Sequence, residues 1–317
     1  MSIYRIYYVL DELHNFPTPM PSEHLLSCLM RYAISEGRRE YVQVAKTVSL
    51  NVSNVSNECY WRPVYTDVIT QYHGRFHSAI AKKNTLLNVY AKFSDSIFDN
   101  LLEEQISKPS KLQFKYRGIS QATPGWKWCR ICVIEDEEKY GCAYWHRDHQ
   151  FALNLRCDKH CEPLYSQCKH CGYEYLSVLQ GPPPQGCCVK CGFIFKRLRS
   201  TNQEFDVWLE NCAHEILNNE LEINIQELKG KLHERYGFDT LKRSWSLAER
   251  KKITFQQQAF GRWVDTLNLT RYLAPQKNNK PYSEHPSFNM SSLAFNPYYL
   301  PPLVVLLFSR YLEEVIC

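Results

Sequence analysis

The sequence predicts a mainly α-helical protein with small β elements in a cysteine-rich centre. Two observations predict this class: apolar residues recur at helical spacing near both ends of the chain, and the cysteines are concentrated between them. Ten of the 14 cysteines fall between Cys129 and Cys191. We therefore expect an N-terminal helical domain over residues 1–120, a cysteine-rich part over residues 121–200 and a C-terminal helical domain over residues 201–317.

The composition indicates a folded protein, and the absence of glycine-rich loops argues against two classes of nucleotide-binding fold. The 317 residues are 44% hydrophobic and include 21 Tyr, 15 Phe and 7 Trp, which is enough for a sizeable core. The sequence has neither a G-x-G-x-x-G nor a G-x-x-x-x-G-K-[ST] loop, so dinucleotide-binding and P-loop NTPase folds lose their main support. The net charge of +5 permits a polyanionic partner but does not by itself indicate nucleic acid.

The N-terminal part is expected to be helical, with helix-turn-helix character. Pro21 and Ser22 supply a helix start and Gly37 a stop, and the apolar residues between them recur every three or four positions. A second helix is expected through NTLLNVYAKFSDSIFDNLLEEQ, with an interruption near Ser94. The stretch NVSNVSNECYWRPVY between these helices is rich in turn residues and does not predict a regular element.

The C-terminal third is expected to form a helical bundle. One apolar stripe runs from Phe205 to Leu217, a second runs from Ile225 to Leu232 and ends at Gly237, and a third helix is expected within FQQQAFGRWVDTLNLTRYL. Short helices separated by glycine-containing turns are compatible with a helix-turn-helix module, although any small helical bundle shows the same pattern. The polar stretch from Pro275 to Pro286 is expected to be a loop.

Neither end of the chain predicts secretion or membrane insertion. The start, MSIYRIYYVLDELHNF, lacks the apolar run of a signal peptide. The most apolar stretch, YYLPPLVVLLFSRYLEEVIC, is interrupted by Arg310, Glu313 and Glu314, whereas a membrane span needs roughly 20 apolar residues, so we expect a core helix. The protein is therefore expected in the cytoplasm, where thiols stay reduced and clustered cysteines more often bind metal than form disulfides.

Two cysteine patterns have the spacing of zinc sites. Each consists of two ligand pairs with two residues inside each pair, and the pairs are separated by 24 residues in the first pattern and 16 in the second. Two such turns complete a tetrahedron of ligands around one ion, which suits Zn²⁺ and leaves no position open for a substrate. We therefore expect tandem zinc-binding modules with zinc-ribbon β elements over residues 121–200 and two Zn²⁺ per chain. The expected metal ligands are Cys129, Cys132, Cys157, His160, Cys168, Cys171, Cys188 and Cys191.

Several neighbouring residues are expected to lie outside these two sites. Cys187 and Cys161 each adjoin an expected ligand without keeping the two-residue spacing, and His170 is expected to face solvent. A polar and aromatic strand is the simpler expectation for the segment GCAYWHRDHQ, but a third metal site there stays open. Its ligands would be Cys142, His146 and His149.

A catalytic metal site is the main alternative to structural sites. The zinc-deaminase pattern H-x-E…P-C-x-x-C is not matched, because Trp128 precedes Cys129, and H-E-x-x-H is absent from the sequence. Three acidic residues are candidates for a zinc-dependent nucleic-acid enzyme by proximity alone, namely Asp136, Glu137 and Asp148. We therefore expect a protein that is not an enzyme and has no catalytic residues. A zinc-knuckle interaction protein is a further alternative.

The segment CRICVIEDEEKYGCAYWHRDHQFALNLRCDKHCEPLYSQCKHCG carries one extended signature. It runs from a cysteine pair through an acidic residue and a Gly-aromatic-Trp-Arg segment to a Cys-x-x-His pair and a further cysteine pair. The matching positions are Cys129, Cys132, Asp136, Gly141, Tyr144, Trp145, Arg147, Cys157 and His160. This signature resembles that of the TniQ/TnsD family of transposon target-selection proteins. Cys161 departs from it, because the family usually has Gly at this position.

Two blocks outside the cysteine pairs extend the resemblance. PSEHLLSCLMRYA is similar to the N-terminal proline, acid, leucine and arginine pattern of the family, and NTLLNVYAKF is similar to its threonine-leucine-aromatic block. The order of the three blocks agrees, and the resemblance covers residues 17 to about 200 strongly. The segment SSLAFNPYYLPPLVVLLFSRYLEE is similar to one that precedes a longer DNA-binding region in TnsD-type members, so it stays open whether residue 317 is the natural end.

The resemblance implies a non-catalytic adaptor of DNA transposition in the bacterial cytoplasm, associated with the nucleoid. Such an adaptor recognises attachment-site DNA and recruits an AAA+ ATPase that regulates the transposase. The alternative is an adaptor docked on an RNA-guided CRISPR effector, and a homodimer stays open. Contact with the ATPase is expected from the N-terminal region, including Glu23 and Arg31. The candidate DNA-binding residues are Lys190, Lys196, Arg197, Arg199, Lys242, Arg243, Arg250, Lys251 and Lys252.

Overall fold

Helices dominate the structure on both sides of the cysteine-rich centre. The computed structural model describes residues 16–37, 41–49, 61–94, 98–107, 122, 125–179, 181–199, 203–236, 246–291 and 301–314. Within these ranges, β pairing is confined to isolated bridges such as Trp128 with Tyr165 and Gln167 with Glu174. The fold is therefore mainly α, as predicted, and the expected ribbon elements are single bridges rather than extended strands.

The first helix of the N-terminal part organises the helices around it. Its Leu, Cys and Met side chains are fully buried, and it contacts the second, third and fourth helices. The expected helix between Asn84 and Gln105 is divided into two, with the break around Ser94 as predicted. The helices are α1 (Leu25–Ser35), α2 (Tyr41–Val48), α3 (Pro63–Ile69), α4 (His77–Asn84), α5 (Leu87–Ala91) and α6 (Phe98–Ser107).

Helix α1 begins later than the sequence indicated, because a histidine rather than a serine caps it. The Nδ1 atom of His24 accepts a hydrogen bond from the backbone N–H of Leu26 at 3.2 Å. Ser22 instead lies in the turn before the helix, with a φ of 57°. Gly37 follows the last turn with a φ of 68°, as expected for a residue that ends a helix in the left-handed region.

The centre begins with a helix that the sequence pattern did not predict. Helix α7 (Arg130–Tyr140) follows directly from Cys129 and ends at Gly141, whose φ of 75° lets the chain reverse. The next segment, expected as a strand, forms a single bridge from His146 to Glu23 and then a short 3₁₀ turn over Asp148–Gln150. This reversal returns residues 143–150 to the side of α7.

The C-terminal part contains four described helices. They are α8 (Glu204–Leu217), α9 (Ile225–Tyr236), α10 (Leu247–Asp265) and α11 (Pro302–Glu314). Helix α8 coincides with the first predicted stripe, and the predicted stop at Gly237 lies outside the described residues. The stretch Pro275–Pro286 is a loop with short 3₁₀ turns, as expected. The apolar helix α11 is a core element, and its Phe308 ring stacks on Phe260 with centroids 4.1 Å apart.

A continuous apolar core joins the N-terminal helices to the cysteine-rich centre. Trp126 and Trp145 are fully buried with ring centroids 5.6 Å apart, and His24 lies against Trp126 at 4.8 Å. These tryptophans therefore pack internally and are not offered to a ligand. Among the described residues, no helix is long and apolar enough to cross a membrane.

Candidate metal centres

The first cluster brings three cysteines and one histidine together at the start of α7. The Nδ1 atom of His160 lies 3.5 Å from the Cys129 sulfur, 3.3 Å from that of Cys132 and 3.5 Å from that of Cys157. The sulfurs of Cys132 and Cys157 are 3.6 Å apart. A tetrahedral Zn²⁺ with Zn–S near 2.3 Å and Zn–N near 2.0 Å places its ligand atoms about 3.5–3.8 Å apart, so this geometry fits the ion.

Local backbone structure explains how the first cluster forms. Cys129 occupies the cap position of α7 and Cys132 lies in its first turn, which puts both sulfurs at the helix N-terminus. Cys157 and His160 lie on a turn closed by a 2.7 Å hydrogen bond from the Cys161 N–H to the Cys157 carbonyl. Hydrogen bonds from the Cys132 and Cys157 thiols lower the pKa of Cys129, and the same contacts with Cys129 raise the pKa of Cys132 and of Cys157.

A carboxylate lies beside the distal nitrogen of the histidine in this cluster. The Nε2 atom of His160 lies 3.1 Å from Glu135 Oε2, and Lys159 pairs with the same carboxylate. The two partners, Lys159 first, lower the pKa of Glu135 and keep it ionised. A carboxylate on the distal nitrogen is typical of metal-binding histidines, because it fixes the tautomer that directs the other nitrogen at the ion.

The Cys161 departure from the family signature leaves the turn intact. Gly172 and Gly192, which follow the two cysteine pairs of the second cluster, have φ values of 70° and 71°. Cys161 follows the Cys157–His160 pair and adopts the same left-handed region with a φ of 51°. The His160 ring consequently keeps its approach to the three sulfurs, at the cost of strain that glycine would avoid.

The second cluster consists of four cysteines on two equivalent turns. The sulfurs of Cys168 and Cys191 are 3.7 Å apart, and so are those of Cys171 and Cys188. Burial raises the pKa of Cys168, but backbone N–H groups and the neighbouring thiols outweigh burial and lower it to about 7. All these separations exceed the roughly 2.05 Å of a disulfide and match a tetrahedral four-thiolate site. Both clusters could therefore hold metal ions, and their donor sets are compatible with zinc.

Of the other histidines near the two clusters, one takes part in neither and two come together beside the first cluster. His170 stacks on Phe193 at 5.7 Å and takes no part in the second cluster. The third group that the sequence left open differs in composition: His146 and His149 come together with Cys132 rather than with Cys142.

The two candidate partner-binding residues form an ion pair inside the N-terminal part. Arg31 Nη2 lies 2.7 Å from Glu23 Oε2, and the Glu23 side chain is fully buried while that of Arg31 is 13% exposed. Glu23 also accepts from the Met20 N–H, and Arg31 donates to the Thr18 carbonyl. The pair is placed to brace the segment before α1 rather than to offer its charges at the surface.

The candidate DNA-binding residues occupy two separate places. Four lie exposed on and after the second cluster: Lys190, Lys196, Arg197 and Arg199. Three more lie exposed on the first half of α10: Arg250, Lys251 and Lys252. Lys242 and Arg243 lie outside the described residues. The described candidates therefore belong to two different elements, one in the cysteine-rich centre and one in the C-terminal part.

A fully buried lysine, which the sequence did not predict, directly precedes the segment that carries Cys129. Lys127 Nζ donates to the carbonyls of Phe151 and Asn154, each at 2.7 Å, and burial lowers its pKa to about 7. The Gln150 side chain bonds both the N–H and the carbonyl of Lys127. These contacts fix the segment that carries Cys129 against the loop after the 3₁₀ turn. The only hint in the sequence is the placement of this lysine between two tryptophans.

Comparison with known proteins gives one family match. Residues 15–164 match the model of the family described as TniQ. The match includes the first cluster and ends before the second one begins. No curated protein matches the chain.

Proposed function

We propose that the chain, whose residues 15–164 match the TniQ family model, is a non-catalytic adaptor that selects the target site for DNA transposition. The family match supports a transposition-associated adaptor role. We further propose that the protein binds attachment-site DNA and recruits an AAA+ ATPase regulator of the transposase. The observation that carries this proposal is the pair of four-ligand clusters, because a metal with four protein ligands stabilises structure and has no free position for a substrate.

The two clusters are proposed as zinc sites that connect the parts of the chain. Two Zn²⁺ ions, each with four protein ligands, would cross-link these elements. One would join α7 to the turn at Cys157–His160, and the other would join the two turns of the second cluster. Such sites contribute to the free energy of folding. The Trp128–Tyr165 bridge and the stacked rings of these two residues join one cluster to the other. Under this proposal the domains over residues 1–120 and 201–317 are held on either side of a rigid centre.

DNA contact is proposed for the surface of the second cluster. Residues 166–199 contain five basic residues and one acidic residue, so much of the chain's net charge of +5 is concentrated there. Lys196 and Arg197 are exposed, and the Arg197 side chain is 77% exposed despite lying 3.6 Å from Glu162. Exposed cations at this density suit phosphate contacts, each of which releases counterions from the duplex.

Salt dependence of DNA binding tests this surface. The double change Lys196→Gln and Arg197→Gln is expected to weaken binding to attachment-site duplex and to reduce the slope of log K against log salt by roughly 1.8, since each phosphate contact contributes about 0.9. Lys46→Gln with Lys83→Gln removes two exposed charges from the N-terminal helices and serves as the matched control. Equal slopes for both double variants would refute phosphate contact at the second cluster.

ATPase recruitment is proposed for the N-terminal part. Arg31 holds the Thr18 carbonyl and the Glu23 carboxylate, so the Glu23–Arg31 pair would act by fixing the conformation of residues 16–22. This segment also contributes Phe16, whose ring lies 5.2 Å from Tyr32. The Glu23–Arg31 pair would therefore act by holding residues 16–22 in the conformation that the ATPase contacts, and not by offering its own charges.

A further inference from the structure

A third group of metal-ligating atoms lies beside the first cluster. One ligand atom each from Cys132, His146 and His149 falls within 4.8 Å of the other two. The residues come from different elements: Cys132 from the first turn of α7, and the histidines from the segment that reverses after Gly141. A tetrahedral Zn²⁺ with bonds of about 2.0–2.3 Å holds its ligand atoms roughly 3.3–3.8 Å apart, so these atoms must draw closer together to share a common ion.

His146 has a carboxylate partner on one ring nitrogen, as metal-binding histidines commonly have. Its Nε2 atom lies 2.7 Å from Asp136 Oδ2, and its ring stacks on Tyr144 with centroids 4.7 Å apart. With Nε2 held by the carboxylate, Nδ1 is the ring nitrogen that remains for an ion. The arrangement repeats the pairing of His160 with Glu135 in the first cluster.

His149 is a buried imidazole with an unpartnered polar atom. Its side chain is 4% exposed, and among the described residues its Nδ1 atom has no hydrogen-bond partner. Buried polar atoms without a protein partner are rare in folded proteins, and a bound ion or water commonly satisfies them. The ring lies 4.9 Å from that of His146, a separation suited to two ligands of one metal.

An open cavity of about 300 Å³ borders the group, with both histidines and Cys132 in its wall. The wall also contains four carboxylates, Glu135, Asp136, Asp148 and Asp158, against two lysines. Apart from Asp136, these carboxylates pair with Lys159, Arg147 and His214, so they supply a negative environment rather than ligands. Water in the cavity can complete the coordination of an ion.

We propose that Cys132, His146 and His149 form a third metal site for a divalent ion of borderline softness, Zn²⁺ in the first place, with Asp136 as the residue that positions His146. The Cys132 thiolate, which has more than one lone pair, bridges this ion to the one in the first cluster. The remaining coordination position faces the cavity and is taken by water. Imidazole and thiolate ligands in this number select Zn²⁺ over Mg²⁺ or Ca²⁺.

The site lies where the centre meets the start of α1. The backbone around His146 pairs with the turn before that helix through bonds from the His24 N–H to the Trp145 carbonyl and from the Arg147 N–H to the Ser22 carbonyl. An ion at this point ties α7 to the strand-like segment that holds the N-terminal part. Failure of this site would leave the adaptor proposal untouched. Hydrolysis that is lost with this ion would instead count against the non-catalytic part of that proposal, because a position held by water is open to a substrate.

Native mass spectrometry of the full chain during Zn²⁺ titration tests the third site. The wild-type chain is expected to saturate at three ions and His149→Ala at two. Asp136→Asn is expected to bind the third ion about 10–100-fold more weakly, as is typical when the partner of a metal-bound histidine is lost. His73→Ala, which removes an exposed histidine of the N-terminal part, is the control and is expected to keep three ions.

Two results would overturn the site. One is saturation of the wild-type chain at two ions or fewer; the other is a third ion bound with unchanged affinity by both His149→Ala and Asp136→Asn. Should His149→Ala fail to fold by circular dichroism, Asp136→Asn decides the question, because it keeps all three ligands and nearly the same shape. Cobalt titrated into the chain loaded with two equivalents of zinc gives a second readout, since a site with one sulfur absorbs differently from sites with three or four.

Discussion

His24 makes the stability of the N-terminal part sensitive to mild acid. The imidazole caps α1 through Nδ1, lies 3.3 Å from the Tyr65 hydroxyl through Nε2 and packs against Trp126. Burial, together with the charge of Arg147, lowers the pKa of His24 from 6.5 to about 3. The folded protein therefore keeps this ring neutral under conditions in which the unfolded chain protonates it.

The sign and size of the effect follow from linkage. Because the folded pKa is depressed, the stability contribution is fully present above pH 6.5 and is lost as the pH falls from there towards 3. For an unfolded pKa of 6.5, the free energy of unfolding should fall by about 1.4 kcal/mol between about pH 7.5 and about pH 5.5 from this residue.

Urea unfolding of the wild-type chain and of His24→Asn at the two pH values measures this contribution. Asparagine is a good N-cap and can accept the Leu26 N–H bond, but it does not titrate, so the variant should lose about 1.4 kcal/mol less than the wild type over this interval. Any loss of metal in acid affects both proteins and cancels in the comparison. An identical pH dependence for the two chains would refute the assignment of the effect to His24.

Three further changes test individual contacts. Cys161→Gly should raise the free energy of unfolding, measured in urea, by about 0.5–1 kcal/mol. The reason is that relief of about 1–2 kcal/mol of left-handed backbone strain exceeds the cost of the greater freedom of glycine in the unfolded chain. Cys161→Ala, which keeps the strain, should show no gain in the same assay. Arg31→Met should cost about 3 kcal/mol by leaving Glu23 buried without its partner, and adding Glu23→Leu should restore much of the loss in the same assay. Cys188→Ser should lower the bound zinc by one ion per chain in elemental analysis, and an unchanged count would rule out the second cluster as a zinc site.

The ligand clusters were accessible from sequence because their geometry is local. Two residues between ligands leave the chain little choice but a tight turn, and Gly172 and Gly192 have the positive φ that such turns need. For the third group, the sequence indicated the two histidines but not the correct cysteine. Cys142 is closer to the histidines in sequence, but the reversal at Gly141 returns His146 to the first turn of α7 and so selects Cys132.

Helix positions were predicted well where an apolar stripe was long and poorly where a cap decided the boundary. Helix α8 matched its stripe, whereas α10 begins at Leu247, well before the expected segment. Ser246 and Glu249 form a capping box there, and the S-x-x-E pattern is present in the sequence. Burial of Lys127 had no comparable local pattern, because it depends on the carbonyls of Phe151 and Asn154, which are distant in sequence.

Loading of an AAA+ transposition regulator onto attachment-site DNA tests the adaptor proposal most directly. The amount of ATPase retained on an immobilised duplex would be measured with no adaptor, with the zinc-loaded chain and with the chain after chelation. We expect the zinc-loaded chain to raise retention well above the level without it and the chelated chain to fail. Equal retention of the ATPase in all three reactions would contradict the account.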